Sequence, residues 1–212
     1  MNPHAPSEHD DDRILTAIRY GVEARDVEFK RSAPFSDYRW KIVRTCMAMA
    51  NLRGGGVIII GVAQDKDRRY LWEGVKPEHV STYTQDAVYN IVNHYARPVV
   101  SLRVRTIVVD GKQYVGIEVD MFERRPIICG VPTPQEAGKD GVPLGAFVAR
   151  TRETISTSVV GDPDLVDEII DIGMEMRAAE LIASAQRIGL RMPDDARNAF
   201  AREREAFFGE EQ

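Results

Sequence analysis

The 212-residue chain carries a net charge of −5, which excludes a domain that is basic overall and leaves any polyanion site to local clusters of cations. Hydrophobic residues at 43% and charged residues at 29% fit a folded globular protein, one main domain with an appendage, rather than a disordered chain. Cys46 and Cys129 form no CxxC or Cys/His cluster, and no run approaches the roughly 18 apolar residues of a membrane span; with a polar N-terminus this predicts a reducing, cytoplasmic setting without a zinc site or disulfide framework.

Residues 1 to 10 have no periodicity and read as a mobile lead-in, and "DDRILTAIRYG" then gives a short helix stopped by Gly21. "DVEFK" alternates Val27 and Phe29 against Glu28 and Lys30, the period of a half-buried strand whose polar face holds the acid and the lysine. "DYRWKIVRTCMAMANLRGGG" is a helix with Trp40, Val43, Met47 and Ala50 on one stripe, closed by glycines. "VIIIGV" is apolar at every position and predicts a central strand covered on both faces. Thr82 and Gln85 have capping-box spacing before a helix that ends ahead of Pro98. Asp110-Gly111 joins two alternating runs as a hairpin, and "RRPIICGV" and "GAFVARTR" add two strand candidates. The predicted fold is α+β: a mixed, largely antiparallel sheet packed with helices over residues 11–160. A C-terminal helical extension, 161–212, opens at Asp162-Pro163 and continues with "PDDARNAFAREREAFFG". It has too little core to stand alone and is expected to pack on the domain or on another subunit.

Several residues carry possible chemistry. Glu23, Glu28 and Lys30 lie close together; a Glu-x-Lys pair on a strand can hold a divalent ion on the acid and face a phosphate with the lysine, although alone it also reads as a solvated strand face. Asp65 and Asp67 follow the buried strand and read equally as turn residues. Arg68, Arg69, Arg103, Arg105, Arg150 and Arg152 would make a phosphate-tracking face if the strands gathered them. Arg53 to Gly56 is no phosphate loop, because it runs from helix to strand and lacks Gly-Lys-Ser/Thr.

The order "EARDVEFK", "TCMAMANLRGGGVIIIGVAQD" and "FVARTRETIS" resembles the Schlafen AlbA domain family, over about residues 12–160. That family is also described as divergent AAA-type ATP-binding or DNA-binding domains. The resemblance implies a three-carboxylate, Mg²⁺- or Mn²⁺-dependent endoribonuclease site made by Glu23, Glu28 and Asp65, with Asp67 as the other match for the third acid. Lys30 would steady the scissile phosphate of a tRNA-like or ribosomal RNA, and the arginines would position its backbone. A single lobe implies a homodimer with one shared groove, and Arg152 stands where the family pattern has Gly. The alternatives are a non-catalytic nucleic-acid-binding regulator, an oligomeric assembly subunit and, without a phosphate loop, an ATP-binding protein.

Overall fold

The computed structural model describes residues 10–21, 23–151 and 156–189. In chain order they form α1 (Asp10–Tyr20), β1 (Val27–Lys30), α2 (Phe35–Ala50), β2 (Gly56–Ile60), β3 (Val62–Gln64), β4 (Tyr70–Trp72), α3 (Pro77–Val80), α4 (Gln85–Tyr95), β5 (Ala96–Arg97), β6 (Leu102–Val109), β7 (Lys112–Val119), β8 (Ile128–Cys129), β9 (Val148–Arg150), β10 (Thr157–Val159) and α5 (Pro163–Arg187). The chain divides into two compact units, Met1–Ile170 and Asp171–Gln212. The first runs past the boundary expected at 160, because Leu165 and Ile169 of α5 are buried with Ala149. The expected second C-terminal helix lies outside the described residues. No helix among the described residues is long and apolar enough to cross a membrane.

The main sheet has the order β1-β2-β7-β6, with β1 and β2 parallel and the other pairs antiparallel: the mixed, largely antiparallel α+β fold that the pattern predicts. α2 is the crossover that a parallel β1–β2 pair requires. Every residue of β2 is buried between two neighbouring strands. Asp110 and Gly111 turn β6 into β7 with positive φ of 51° and 75°, the backbone that a two-residue hairpin needs.

Strand register sorts the side chains onto two faces. Val27, Phe29, Val57, Ile59, Glu118, Arg103 and Arg105 share one, and Glu28, Lys30, Ile58, Ile60, Ile117 and Val104 the other. α1 covers the first face, where Ile14, Ala17 and Ile18 bury against Phe29, Val57 and Ile59. α2 and α4 cover the second. At the end of α2, Gly55 has φ 76° and a Cβ there would fall 2.0 Å from the Val119 carbonyl oxygen, so the turn into β2 passes too close to β7 for a side chain.

Two caps differ from the expected pattern. α4 is capped by Thr84, whose hydroxyl accepts from the Ala87 N–H at 3.1 Å; Thr82 instead accepts from the Phe35 N–H and donates to the His79 carbonyl. Gln85, expected to close a capping box, reaches the outer edge of β6, donating to Leu102 O at 3.0 Å and accepting from the Val104 N–H at 2.7 Å.

Candidate functional site

Residues five apart on an extended chain face opposite ways, so Glu23 and Glu28 can meet only if the chain turns between them. It does. Ala24 and Val27 exchange backbone hydrogen bonds of 3.2 and 3.1 Å around Arg25 and Asp26. Glu23 is thereby folded back along β1, with Oε1 3.5 Å from the Phe29 nitrogen, and it lines the same cleft as Glu28.

Glu28 is not on a solvated face; it is 8% exposed, on a cleft whose lining includes Arg150 of β9 and Thr157 of β10. Arg150 of β9 donates from Nη1 to Glu28 Oε2 at 2.6 Å, and the Lys30 ammonium contacts the other oxygen. Arg150 also donates to the carbonyls of Arg25 at 3.0 Å and Ala24 at 3.2 Å. Arg150 is therefore not part of an exposed phosphate-tracking face: at 1% exposure its planar fork neutralises Glu28 and holds the 24–27 turn. Arg25 extends the network, donating to the Arg150 carbonyl at 3.1 and 3.0 Å and to both carboxylate oxygens of Glu168 at 3.1 and 3.0 Å.

Burial, and after it the positive charge of Lys41, lowers Lys30 from its ordinary 10.5 to about 7. Glu23 works the other way, but burial prevails. Lys30 is thus a group whose charge changes near neutral pH.

Two clefts adjoin β1. One, of 330 Å³, is lined by Glu23, Lys30, Arg31, Tyr38, Lys41 and Tyr70 among others. The second, of 250 Å³, takes in Glu23, Glu28, Lys41, Arg44, Lys139 and Arg150. Glu23 and Lys41 belong to both. A larger hollow of 410 Å³, beside Tyr89, Val99 and Phe122, contains none of the expected site residues. Lys41 and Arg44 were not singled out in the sequence; the signal for them was the polar side of α2, opposite the stripe of Val43, Met47 and Ala50.

Asp65 lies at the β3–β4 turn and lines neither cleft. Its Oδ1 accepts from the N–H groups of Asp67 and Arg69, both at 2.8 Å, which closes the turn, and Asp67 pairs with Arg69 at 3.3 Å. Arg68 and Arg69 are exposed at this tip, and Gln64 and Tyr70 of the same hairpin wall the first cleft. Arg103 and Arg105 occupy the opposite sheet face from Glu28 and Lys30, 4.0 and 3.1 Å from the Glu118 carboxylate. Arg152 lies outside the described residues. Among the described residues, no three His, Cys, Asp or Glu side chains gather as a metal-ligand set. With Glu28 held by two cations and Asp65 committed to its turn, the donors in this arrangement do not fit a three-carboxylate ion site.

The family described as Schlafen, AlbA_2 matches residues 23–156. No curated protein matches the chain. Among solved structures, a Corynebacterium diphtheriae protein is similar over 76% of this chain and 29% of its own length, at 16% identity and a TM-score of 0.46. The N-terminal domain of a RecG-related protein from Nitrosomonas europaea is similar over 71% of this chain and 95% of its own, at 20% identity and a TM-score of 0.43. The chain thus spans less than a third of the Corynebacterium protein.

Proposed function

This chain belongs to the Schlafen AlbA_2 family, whose pattern covers residues 23–156, and from that premise we propose that it binds the sugar–phosphate backbone of structured RNA in the paired clefts beside β1. The carrying observation is the lining of those clefts, in which Lys30, Arg31, Lys41, Arg44 and Lys139 stand around the shared Lys41 position. Concave walls focus the field of their cations, so a local anion site is compatible with a chain of net charge −5. The exposed Arg68 and Arg69 continue the track along the hairpin wall. RNA, tRNA-like or ribosomal, is proposed over duplex DNA from the likeness to the Schlafen ribonucleases. The cytoplasm, with its reduced thiols, suits two free buried cysteines.

The meeting of Glu23, Glu28 and Lys30 favours a second reading on the same cleft, phosphodiester cleavage by an endoribonuclease. Lys30 would hold the scissile phosphate, and Glu23, half-buried between the two clefts, is the carboxylate placed to accept a proton. Mg²⁺ or Mn²⁺ belongs to this reading; since Asp65 would have to leave its turn to join the acids, no step is derived through the ion. A homodimer aligning two such clefts would match a longer stretch of RNA, and sedimentation of a monomer at micromolar concentration would remove it.

Fluorescence anisotropy of labelled tRNA with the full chain tests the binding. Affinity should fall steeply between about 50 and 200 mM salt, and Lys41→Gln with Arg44→Gln should flatten that dependence. Absent or salt-independent binding overturns the proposal. Incubation of total tRNA with Mn²⁺ or with chelator, beside Glu23→Gln, separates binding from cleavage.

A further inference from the structure

We infer that the 330 Å³ cleft receives one unpaired nucleotide of the bound RNA, its base stacked on Tyr38 and its phosphate against Lys30 and Lys41. This rests on the backbone-binding reading above and names the part of the polymer that the cleft selects. The volume falls within the roughly 300–1,000 Å³ of pockets that enclose small organic ligands. A groove that follows only duplex phosphates has no use for aromatic rings, because the bases of a duplex are stacked inside it. Here two tyrosines stand with the cations on one cleft, Tyr38 from the first turns of α2 and Tyr70 from β4.

The two rings are not equivalent. Tyr70 lies edge-to-face with Phe29 at 5.1 Å and lines the cleft with Glu23, so it belongs to the wall. Tyr38 is half-buried, has no ring partner among the described residues, and shares the cleft lining with Arg31. A tyrosine with its ring unstacked is a platform for a base, and Lys30 and Lys41 on the same cleft supply the phosphate contact. A bulge, loop or single-stranded end offers base and phosphate together; a continuous helix offers only the phosphate.

The test compares one RNA hairpin, fully paired, with the same hairpin carrying a single bulged 2-aminopurine. The full chain should bind the bulged form roughly 5- to 150-fold more tightly, the range of one base–aromatic stack. Emission of the 2-aminopurine should fall on binding. Tyr38→Phe should keep the preference and Tyr38→Leu, which retains bulk without a π-face, should lose it. Equal affinity for the two hairpins, with salt dependence intact, overturns the nucleotide pocket and leaves the backbone reading standing; so does a preference that survives Tyr38→Leu. No salt-dependent binding of either RNA overturns both.

Discussion

Arg150 meets Glu28 at 2.6 Å although the two residues are 122 positions apart in the chain, and both side chains are nearly sealed from solvent. The contact ties β9 to β1 and, through the carbonyls of Ala24 and Arg25, fixes the turn that returns Glu23 to the cleft. The planar guanidinium reaches a carboxylate and two carbonyls from three separate nitrogens, whereas the donors of a lysine radiate from one.

Breaking that pair on one side should be costly. Arg150→Met leaves Glu28 with Lys30 alone and should lower stability by about 3–5 kcal/mol in urea denaturation. Because the two residues are coupled, Arg150→Met combined with Glu28→Gln should cost less than the sum of the single changes. A loss under about 1 kcal/mol for Arg150→Met would show that the turn stands without it.

Lys30 sets opposite pH trends for binding and stability. With its pKa near 7, the side chain is charged below neutrality, so RNA affinity should fall as pH rises through about 7. Between about 7 and the ordinary 10.5 the folded chain holds fewer protons than the unfolded one, so this residue's contribution to stability should rise with pH across that window. Lys30→Arg, charged throughout, should remove the step in affinity, which a titration by anisotropy from pH 6 to 9 would reveal. An unchanged step in that variant assigns the titration to another group.

Asp65 should behave as a turn residue. Asp65→Ala removes the acceptor of two backbone N–H groups and should cost about 1 kcal/mol while leaving RNA affinity within about twofold. Asp65→Asn keeps an acceptor and drops the charge. If that variant abolishes Mn²⁺-dependent cleavage with the melting temperature unchanged, the third carboxylate of the expected site is restored.

The arginine pairs should separate by sheet face. Arg68→Gln with Arg69→Gln should reduce the slope of log affinity against log salt by up to about 1.4 for a single-stranded contact, at about 0.7 per phosphate. Arg103→Gln with Arg105→Gln, on the opposite face beside Glu118, should leave it unchanged. Equal losses from both pairs would require RNA to wrap the sheet edge.

Asn51 lines neither cleft beside β1 and should matter greatly for folding. It is 1% exposed, donates to the carbonyls of Ile127 at 2.8 Å and Val148 at 3.1 Å, and accepts from the Ile127 N–H at 2.7 Å. Asn51→Ala should lower stability by roughly 2 kcal/mol or more in thermal or urea unfolding, since buried backbone groups lose their partners.

Features set by neighbours in sequence were legible: the unbroken apolar run of β2, the Asp110-Gly111 turn and the glycines that close α2 all act over a few residues. Alternation also showed that Glu28 and Lys30 share a face, but not that Glu28 is buried there, because the Arg150 side chain that meets it comes from distant β9. The same blindness to distance hid Arg150, which reads like any strand arginine until Glu28 is placed opposite it. Arg103 and Arg105 went to the far side of the sheet through the order β1-β2-β7-β6, which no local pattern encodes. The cap of α4 turned on competition: Thr82 has a better partner in the Phe35 N–H, and Thr84 takes the helix.

The side chain of Gln85 mimics a strand. By bonding Leu102 and Val104 as a fifth neighbour would, it occupies two backbone groups at the start of β6, on the open border of the sheet where another polypeptide could otherwise add on. A strand pairing there would have to displace this amide, at the border of the sheet farthest from β1 and its clefts.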